Sequence, residues 1–248
     1  VALDVPSRVP RWVRRAYNMY ASLVELKDLE WLKRRGKVIV MTYQGDDARQ
    51  AHYLRQHFEI SPADHVDYYS EQSDRLKQER IRKVSLWADA IFALNPDLLH
   101  VLPARARFLP YANVDVAAIK PAIGNSVDTP VVLHAPSHRG VKGTRYILDA
   151  VNRLKSEGEQ FEFVLIEGMQ NKEAMHLYLR ADLLVDQLLA GWYGGLAVEL
   201  MALGKPVISY LREQDLGYLP AEMRSNLPVI SATPGSIYAV LREWLTVR

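Results

Sequence analysis

The sequence contains no cysteine, has no long apolar run and carries almost no net charge. Without cysteine the chain can form neither disulfides nor cysteine-ligated metal sites, which fits a reducing compartment such as the cytoplasm. No stretch reaches the roughly 18 consecutive apolar residues of a membrane span, and the first residues have no apolar signal region. We therefore expect a cytoplasmic protein without a membrane-spanning helix or an export signal.

The overall charge of the chain does not fit a strongly basic, nucleic-acid-binding protein. It has 31 Lys or Arg against 29 Asp or Glu, for a formal net charge of +2. Nucleic acid binding usually needs a clear basic surplus. The His and Glu residues also lack a zinc spacing such as H-E-x-x-H. We therefore expect neither a nucleic acid partner nor a metal site.

Length and composition are those of an ordinary globular protein. Of 248 residues, 49% are hydrophobic and 24% are charged, which allows one large domain or two small ones. A polar segment with prolines, residues 119–130, separates two regions and is interpreted as an interdomain linker. We predict an N-terminal domain over residues 1–120 and a C-terminal domain over residues 121–248.

The chain begins with a basic helical segment. Apolar residues between Arg11 and Arg35 recur at helical spacing, which predicts one or two helices. Residues 1–40 contain nine Lys or Arg against four acids. A solvated helix face is the first interpretation. The alternative is a peripheral contact with the anionic inner face of a membrane, through Trp and Tyr beside the basic residues.

Strand and helix patterns alternate along the chain, which predicts parallel sheets covered by helices. The apolar run Lys37–Tyr43 has the length of a strand, and we expect it to be buried on both faces. Asn95-Pro96-Asp97 has the composition of a helix start capped by Asn95. The other predicted strands are residues 88–94, 131–134, 161–166, 183–185 and 206–210, and the other predicted helices are residues 70–86, 144–154, 172–179, 194–203 and 233–244.

The most informative stretch is WYGGLAVELMALGKPVISY, residues 192–210. Gly194 and Gly195 open a predicted helix that carries Glu199 and ends at Gly204, before a short strand. Backbone N–H groups beside glycines at a helix start can bind a phosphate. A carboxylate beside that phosphate can accept hydrogen bonds from sugar hydroxyls. The stretch predicts a nucleotide-sugar or dinucleotide site, and the alternative is a crossover whose glycines serve close packing only.

A basic turn with glycines follows the predicted strand 131–134. Arg139 offers a bidentate guanidinium and Lys142 a movable ammonium, which together suit a diphosphate. The alternative is a solvated basic loop. His134 and His138 are weaker candidates, because a loop His can donate to phosphate or sugar but is more often structural.

Two acidic residues follow two successive predicted strands. Glu167 comes directly after the strand 161–166 and is a weaker candidate for contact with the nucleobase. Asp186 follows the strand 183–185 and faces the predicted donor site, but it can equally cap its own loop. In a parallel sheet these strand ends share one edge, so both residues belong to the same predicted site.

These segments resemble the retaining glycosyltransferases of the GT-B fold, family four. GGLAVELMALGKPVI is similar to the donor-site segment of that family, where the Glu binds ribose hydroxyls and the backbone after the Gly meets the phosphates. The resemblance implies these roles for Glu199, Gly194 and Gly195. It also implies that Arg139 and Lys142 bind the diphosphate, so that their charges replace a divalent metal.

The sequence departs from the family pattern at two positions. The family usually has a second Glu eight positions before Glu199, where this sequence has Gly191. A comparable N-terminal strand of the family ends in His-Gly-x-Asp, and the matching residues here are Gln44, Gly45 and Asp47. Gln44 can orient a substrate by hydrogen bonds but cannot act as a general base. Gln44 and Asp47 are the candidates for a catalytic role.

The resemblance implies an α/β protein of GT-B type, with two Rossmann-like domains and an incomplete N-terminal domain. The implied activity is metal-independent transfer of a sugar, with retention, from a nucleotide diphosphate sugar to a sugar, lipid-linked or small-molecule acceptor. Two alternatives remain: a nucleotide-sugar binding module without catalysis, and a sugar-nucleotide epimerase on the same fold. The resemblance covers residue 37 to the end, and a truncated chain is expected because family members begin with further strands.

Overall fold

The computed structural model describes residues 24–121, 129–169 and 171–246, together with residues 10, 12, 13, 17, 19 and 20. The predicted linker, residues 119–130, lies mostly outside the described residues, as does most of the basic segment before residue 24. Within the described part, no helix combines the length and apolarity needed to cross a membrane.

The described chain forms two parallel β-sheets, with helices between many of the strands. The strands are β1 (Val40–Tyr43), β2 (Ala90–Ala93), β3 (Arg107–Phe108), β4 (Val131–His134), β5 (Glu162–Leu165), β6 (Leu183–Val185), β7 (Val207–Ser209) and β8 (Val229–Ser231). The helices are α1 (Lys27–Arg34), α2 (Ala51–His57), α3 (Glu71–Trp87), α4 (Arg139–Lys142), α5 (Thr144–Ser156), α6 (Asn171–Arg180), α7 (Gly195–Ala202), α8 (Ala221–Ser225) and α9 (Ile237–Thr246). Short 3-10 helices span Pro62–Asp64, Pro96–His100 and Glu213–Tyr218. The α/β class with parallel sheets is confirmed.

The smaller sheet has the strand order β1-β2-β3, with β1 at one edge. Its register pairs Val40 with Ala90 and Tyr43 with Ala93. Tyr43 is buried, but Val40 is exposed and the two residues between them are only partly covered. The prediction of a strand buried on both faces is therefore wrong. An edge strand has a sheet neighbour on one side only, so it is covered less completely than a central one.

The larger sheet has the order β5-β4-β6-β7-β8, and all of its described pairs are parallel. From β4, the chain therefore adds β5 on one side and then β6, β7 and β8 on the other side. The direction in which strands are added reverses between β4 and β6, and in such sheets ligands bind beyond the carboxyl ends of those two strands. The loops that follow β4 and β6 flank this position.

Apolar side chains cover both faces of the larger sheet. Leu133 packs on one face in a cluster with Trp192 and Leu200, while its neighbour Val132 packs on the other face with Ile147. This alternation is the period of a β-strand. Full burial of such side chains contributes about 1.5–3 kcal/mol each, so the core fixes the strand ends that carry the site.

Local signals set most helix boundaries, with one exception. The Ser70 side chain caps α3 by accepting from a backbone N–H in its first turn. Gly204 follows α7 with a φ of 78°, a conformation that favours glycine. Asn95 does not cap a helix through its side chain, and Pro96–His100 is only a 3-10 helix. The Asn95 amide instead donates to the Gln44 carbonyl, so Asn95 occupies the predicted N-cap position but does not cap the helix with its side chain.

A buried ionic cluster joins the two sheet-bearing parts of the chain. Arg212 donates to Asp215 at 2.8 Å and to the Ile60 carbonyl at 3.0 Å. His100 contacts the other carboxylate oxygen of Asp215 at 2.7 Å. The Arg212 guanidinium also lies over the Phe58 ring, 3.7 Å from its centroid. Partners from the smaller-sheet part thus satisfy a charged pair from the larger-sheet part.

Candidate functional site

The turn after β4 and the loop after β6 meet at the carboxyl edge of the larger sheet. Gly143, with a φ of 72°, joins α4 to α5. A Cβ at Gly143 would lie 3.3 Å from Leu188 Cβ, so a side chain would crowd this junction. The Lys142 carbonyl accepts from the Leu188 N–H at 3.0 Å. These contacts bring Lys142 against the loop that ends at Gly194, the N-cap residue of α7.

Lys142 forms a buried ion pair with Asp186. Its Nζ lies 2.8 Å from Asp186 Oδ1, and the two side chains are 11% and 1% exposed. The Gly194 N–H donates to the other carboxylate oxygen, Oδ2, at 2.6 Å. A Cβ at Gly194 would lie 3.0 Å from Lys142 Nζ, so glycine permits the close approach. One carboxylate therefore bridges a side-chain cation and a backbone N–H group.

Arg139 forms a second, more exposed pair with Glu167. Its Nε donates to Glu167 Oε1 at 2.7 Å and its Nη2 donates to Oε2. The hydrogen bonds from Arg139 lower the pKa of Glu167. Solvent screens an exposed pair, so it opens more easily than a buried one. Each of the two predicted diphosphate-binding cations is thus paired with a carboxylate. Each carboxylate lies on the loop that follows a strand next to β4.

Gly195 and Glu199 lie on α7, close to a residue that the sequence reasoning missed. The Asn113 amide nitrogen is 3.3 Å from Glu199 Oε1 and 3.5 Å from the Gly195 carbonyl oxygen. Burial raises the pKa of Glu199, although the hydrogen bond from Asn113 opposes that shift. Asn113 lies in the loop after β3, and no motif in the sequence marks it for contact with α7.

His134 is a core residue. It is 0% exposed, its Nδ1 lies 2.7 Å from the Val185 carbonyl and its Nε2 lies 2.9 Å from Thr144 Oγ1. A carbonyl can only accept, so Nδ1 carries the proton and Nε2 accepts from the hydroxyl. Burial lowers the pKa of His134 to about 4. With both nitrogens bonded inside the protein, the neutral ring ties β4 to β6 and α5.

His138 begins the short helix α4. Its Nδ1 accepts from the backbone N–H groups of Gly140 at 3.1 Å and Val141 at 3.4 Å. Its ring meets the edge of Tyr68, with centroids 5.7 Å apart. A Cβ at Gly140 would lie 2.4 Å from the His65 carbonyl oxygen. The basic turn is therefore packed against the smaller-sheet part, and it is partly helical where the sequence suggested only a turn.

Gln44 and Asp47 follow β1, and both are exposed. The Asp47 carboxylate accepts from the backbone N–H groups of Gln44 at 3.0 Å and Gly45 at 2.8 Å. Asp47 thereby shapes the loop at the strand end. The Gln44 carbonyl is held by Asn95, while its amide side chain is on the exposed surface, where it is accessible to a substrate.

Asp46, between these two candidates, is the more connected residue. It accepts from Tyr68 at 2.5 Å and from Tyr69, and it pairs with Arg49 at 3.1 Å. Burial acts to raise its pKa, but Arg49 and the two hydroxyls outweigh burial and lower it. No local pattern connects residue 46 with residues 68 and 69, so nothing in the sequence favours Asp46 over Asp47.

Arg212 explains the glycine at position 191. Gly191 has a φ of 81°, and a Cβ there would lie 2.3 Å from Arg212 Nη1 and 2.5 Å from Arg212 Cζ. A larger residue at this position would therefore displace the guanidinium. The Arg212 side chain occupies the space that the Glu of the family pattern would need.

Trp192 packs in the core beside the site. Its ring stacks on Tyr193 at a centroid distance of 4.4 Å and meets Phe108 edge-on at 5.6 Å. Its Nε1 and the hydroxyl of Tyr43 are buried without a hydrogen-bond partner among the described residues.

Within the part of the chain that the structure describes, no group of three or more His, Asp or Glu side chains could hold a metal ion.

The solved structures that are similar to this chain include the following two. Sucrose-phosphate synthase from Thermosynechococcus elongatus matches with a TM-score of 0.49 at 16% sequence identity, over 96% of this chain and 71% of the other. WaaG, a glycosyltransferase involved in lipopolysaccharide biosynthesis, matches with a TM-score of 0.47 at 16% identity, over 88% of this chain and 71% of the other. No family model and no curated protein match the sequence. Both matches extend over most of this chain.

Proposed function

We propose that the protein binds a nucleotide diphosphate sugar at the carboxyl ends of β4 and β6 and transfers the sugar, with retention, to an acceptor. The observation that carries the proposal is the convergence of Lys142 Nζ and the Gly194 N–H on two oxygens of one carboxylate. A phosphate group presents a similar pair of oxygens to two donors. The position is also the one where doubly wound sheets bind ligands.

Each further group has a role in this proposal. Arg139 lies on the same turn as Lys142 and would add a bidentate contact to the diphosphate. Gly195 begins α7, where a helix leaves its first N–H groups without intrahelical partners. Glu199 is half-buried, with its pKa raised by burial, and would accept from the ribose hydroxyls.

The proposed transfer needs no divalent ion. The leaving group of a nucleotide diphosphate sugar is a nucleoside diphosphate, whose charge must be neutralised as the bond to the sugar breaks. Arg139, Lys142 and the N-terminus of α7 would supply that positive charge. Gln44, exposed at the end of β1, is proposed to orient the acceptor through its amide.

A panel of nucleotide sugars, assayed with and without a chelator, tests the proposal. We expect release of a nucleoside diphosphate by transfer or slow hydrolysis, with activity retained in the chelator. A thermal shift without turnover would instead support a binding module, and inversion at a sugar carbon would support an epimerase. Absence of any nucleotide or nucleotide-sugar binding would overturn the assignment of the site.

We also propose a peripheral contact with an anionic membrane through α1. Trp31 on this helix is 53% exposed, and the Arg35 guanidinium lies 4.0 Å from its ring centroid. An exposed Trp beside basic side chains suits the interface of an anionic bilayer. Cosedimentation with anionic but not zwitterionic vesicles is expected, with weaker binding for Trp31→Ser. Equal recovery with both kinds of vesicle would contradict this contact.

A further inference from the structure

The two cations of the proposed diphosphate site are already neutralised from within the protein. Asp186 Oδ1 contacts Lys142 Nζ at 2.8 Å and its Oδ2 accepts from the Gly194 N–H at 2.6 Å. Glu167 contacts Arg139 through both carboxylate oxygens. These four side chains carry two positive and two negative charges. Their summed charge therefore offers no attraction to a diphosphate unless a carboxylate moves away.

Asp186 is the carboxylate that matters most for such an exchange. Its side chain is 1% exposed and that of Lys142 is 11% exposed, whereas the Arg139–Glu167 pair is 58% and 36% exposed. Water screens the outer pair but screens the inner pair little. A phosphate at Lys142 and Gly194 would compete directly with Asp186, because both ligands need the same two donors.

We propose that Asp186 is an internal competitor of the diphosphate: its carboxylate holds Lys142 and the Gly194 N–H, and a bound diphosphate replaces it at both groups. This inference rests on the proposed nucleotide site and concerns how that site is regulated. The competition keeps a buried lysine paired at all times, first with Asp186 and then with a phosphate oxygen. The competition also weakens the binding of every anion at this position, so only ligands that make several contacts through their phosphates would displace the carboxylate.

A second reading of the same contacts gives the opposite expectation. If Asp186 were a tether that positions Lys142 for the ligand, its charge would help binding, and removing that charge would weaken binding. Asp186→Asn separates the two readings, because asparagine has nearly the same shape and keeps one carbonyl oxygen to accept from Lys142 or Gly194.

The experiment is calorimetric titration of inorganic pyrophosphate and of nucleoside diphosphates into the full chain and its variants. For Asp186→Asn we expect pyrophosphate to bind roughly three- to tenfold more tightly, because a like charge is removed from contact with the ligand. The melting temperature without ligand should fall, since Lys142 loses its buried partner, and the increase caused by pyrophosphate should grow. Adding Lys142→Met to Asp186→Asn should abolish the gain.

Glu162→Gln is the matched control for a change in net charge. Glu162 is at the amino end of β5 and forms an exposed pair with Arg180, so its removal should leave pyrophosphate binding nearly unchanged. Weaker or unchanged pyrophosphate binding in Asp186→Asn overturns the competitor model while leaving the nucleotide site intact. If neither protein binds pyrophosphate or any nucleoside diphosphate, both the competitor and the proposed function are wrong.

Discussion

At the scale of single residues, Glu199 separates a nucleotide site from a simple phosphate site. Its carboxylate would accept from ribose hydroxyls, which pyrophosphate lacks. We predict that Glu199→Gln weakens the binding of a nucleoside diphosphate by about 1.5–3 kcal/mol, the range for a hydrogen bond to a charged group. The binding of pyrophosphate should be unchanged or slightly tighter. Titration of both ligands into both proteins measures the difference. Equal weakening of the two ligands would mean that Glu199 only maintains the helix.

The burial of His134 should make the stability of the fold depend on pH. Burial lowers its folded-state pKa from 6.5 to about 4, so between these values the unfolded chain binds more protons than the folded one. Its contribution to stability is complete above about pH 6.5 and is lost as the pH falls toward 4, by up to about 3 kcal/mol.

Denaturant titrations across this pH range test the effect. The variant His134→Asn retains a donor for the Val185 carbonyl but has no titrating ring. Its free energy of unfolding should depend less steeply on pH between about 6.5 and 4, whatever its absolute stability. Parallel curves for the two proteins would show that His134 does not titrate as its burial requires.

The sequence predicts residue type and strand position, but not the partners that define the site. Arg139, Lys142 and Gly194 could be predicted because they lie between a strand and the helix that follows it, and Glu199 because it follows the glycine pair on the same helix. The contact between Lys142 and Asp186 joins residues far apart in the chain, and it depends on β4 and β6 being neighbours. A sequence alone does not contain that adjacency.

At the scale of elements, the start of α7 requires glycine for space rather than for backbone conformation. Gly194 has a φ of −96°, which any residue can adopt. An added Cβ would lie 3.0 Å from Lys142 Nζ and 3.4 Å from Asp186 Oδ2. We predict that the Gly194→Ala variant folds normally, but that its added methyl group displaces Lys142. Its affinity for pyrophosphate, measured by calorimetry, should fall several-fold.

Gly217 provides the control for that substitution. A Cβ at Gly217 would have no neighbour within 4 Å, so Gly217→Ala should leave pyrophosphate binding unchanged. Replacing such a glycine by alanine can also stabilise a protein by about 0.4–1 kcal/mol through the unfolded state. Unchanged affinity in Gly194→Ala would show that the space beside Lys142 is not restricted.

Elements with strong local signals were predicted within a few residues of their bounds, and weakly marked ones were missed. The Ser70 cap and the charged face identified α3, and Gly204 marked the end of α7. The helices α2, α4 and α8 and the strand β8 were not predicted, because each has between three and seven residues and depends on tertiary contacts. The exposure of β1 follows from its place in the sheet, which no local pattern reports.

At the scale of the whole molecule, the cluster around Arg212 holds the two sheet-bearing parts together. Arg212 and Asp215 are almost fully buried, and Arg212 also contacts the Ile60 carbonyl. We predict that Arg212→Met lowers the free energy of unfolding by about 3–5 kcal/mol, because it leaves the Asp215 carboxylate buried without its main cation. Chemical denaturation measures the loss.

An exposed pair gives the comparison for Arg212. Arg180 contacts Glu162 at 3.0 Å with both side chains largely exposed, so Arg180→Met should cost no more than about 1 kcal/mol. A similarly small cost for Arg212→Met would mean that the interface is held by apolar packing alone. Alternation of strands and helices predicted the parallel sheets of this architecture, but the strand order and the interface partners depend on long-range contacts.

The crowding between Gly191 and Arg212 also constrains how this sequence can change over time. A side chain at position 191 would place its first atom 2.3 Å from Arg212 Nη1, so the guanidinium would have to leave its present position. That movement would cost the contacts of Arg212 with Asp215 and Ile60. A substitution of Gly191 therefore loses stability for as long as Arg212 is present. Glycine at 191 and arginine at 212 should consequently persist or disappear together among descendants of this chain.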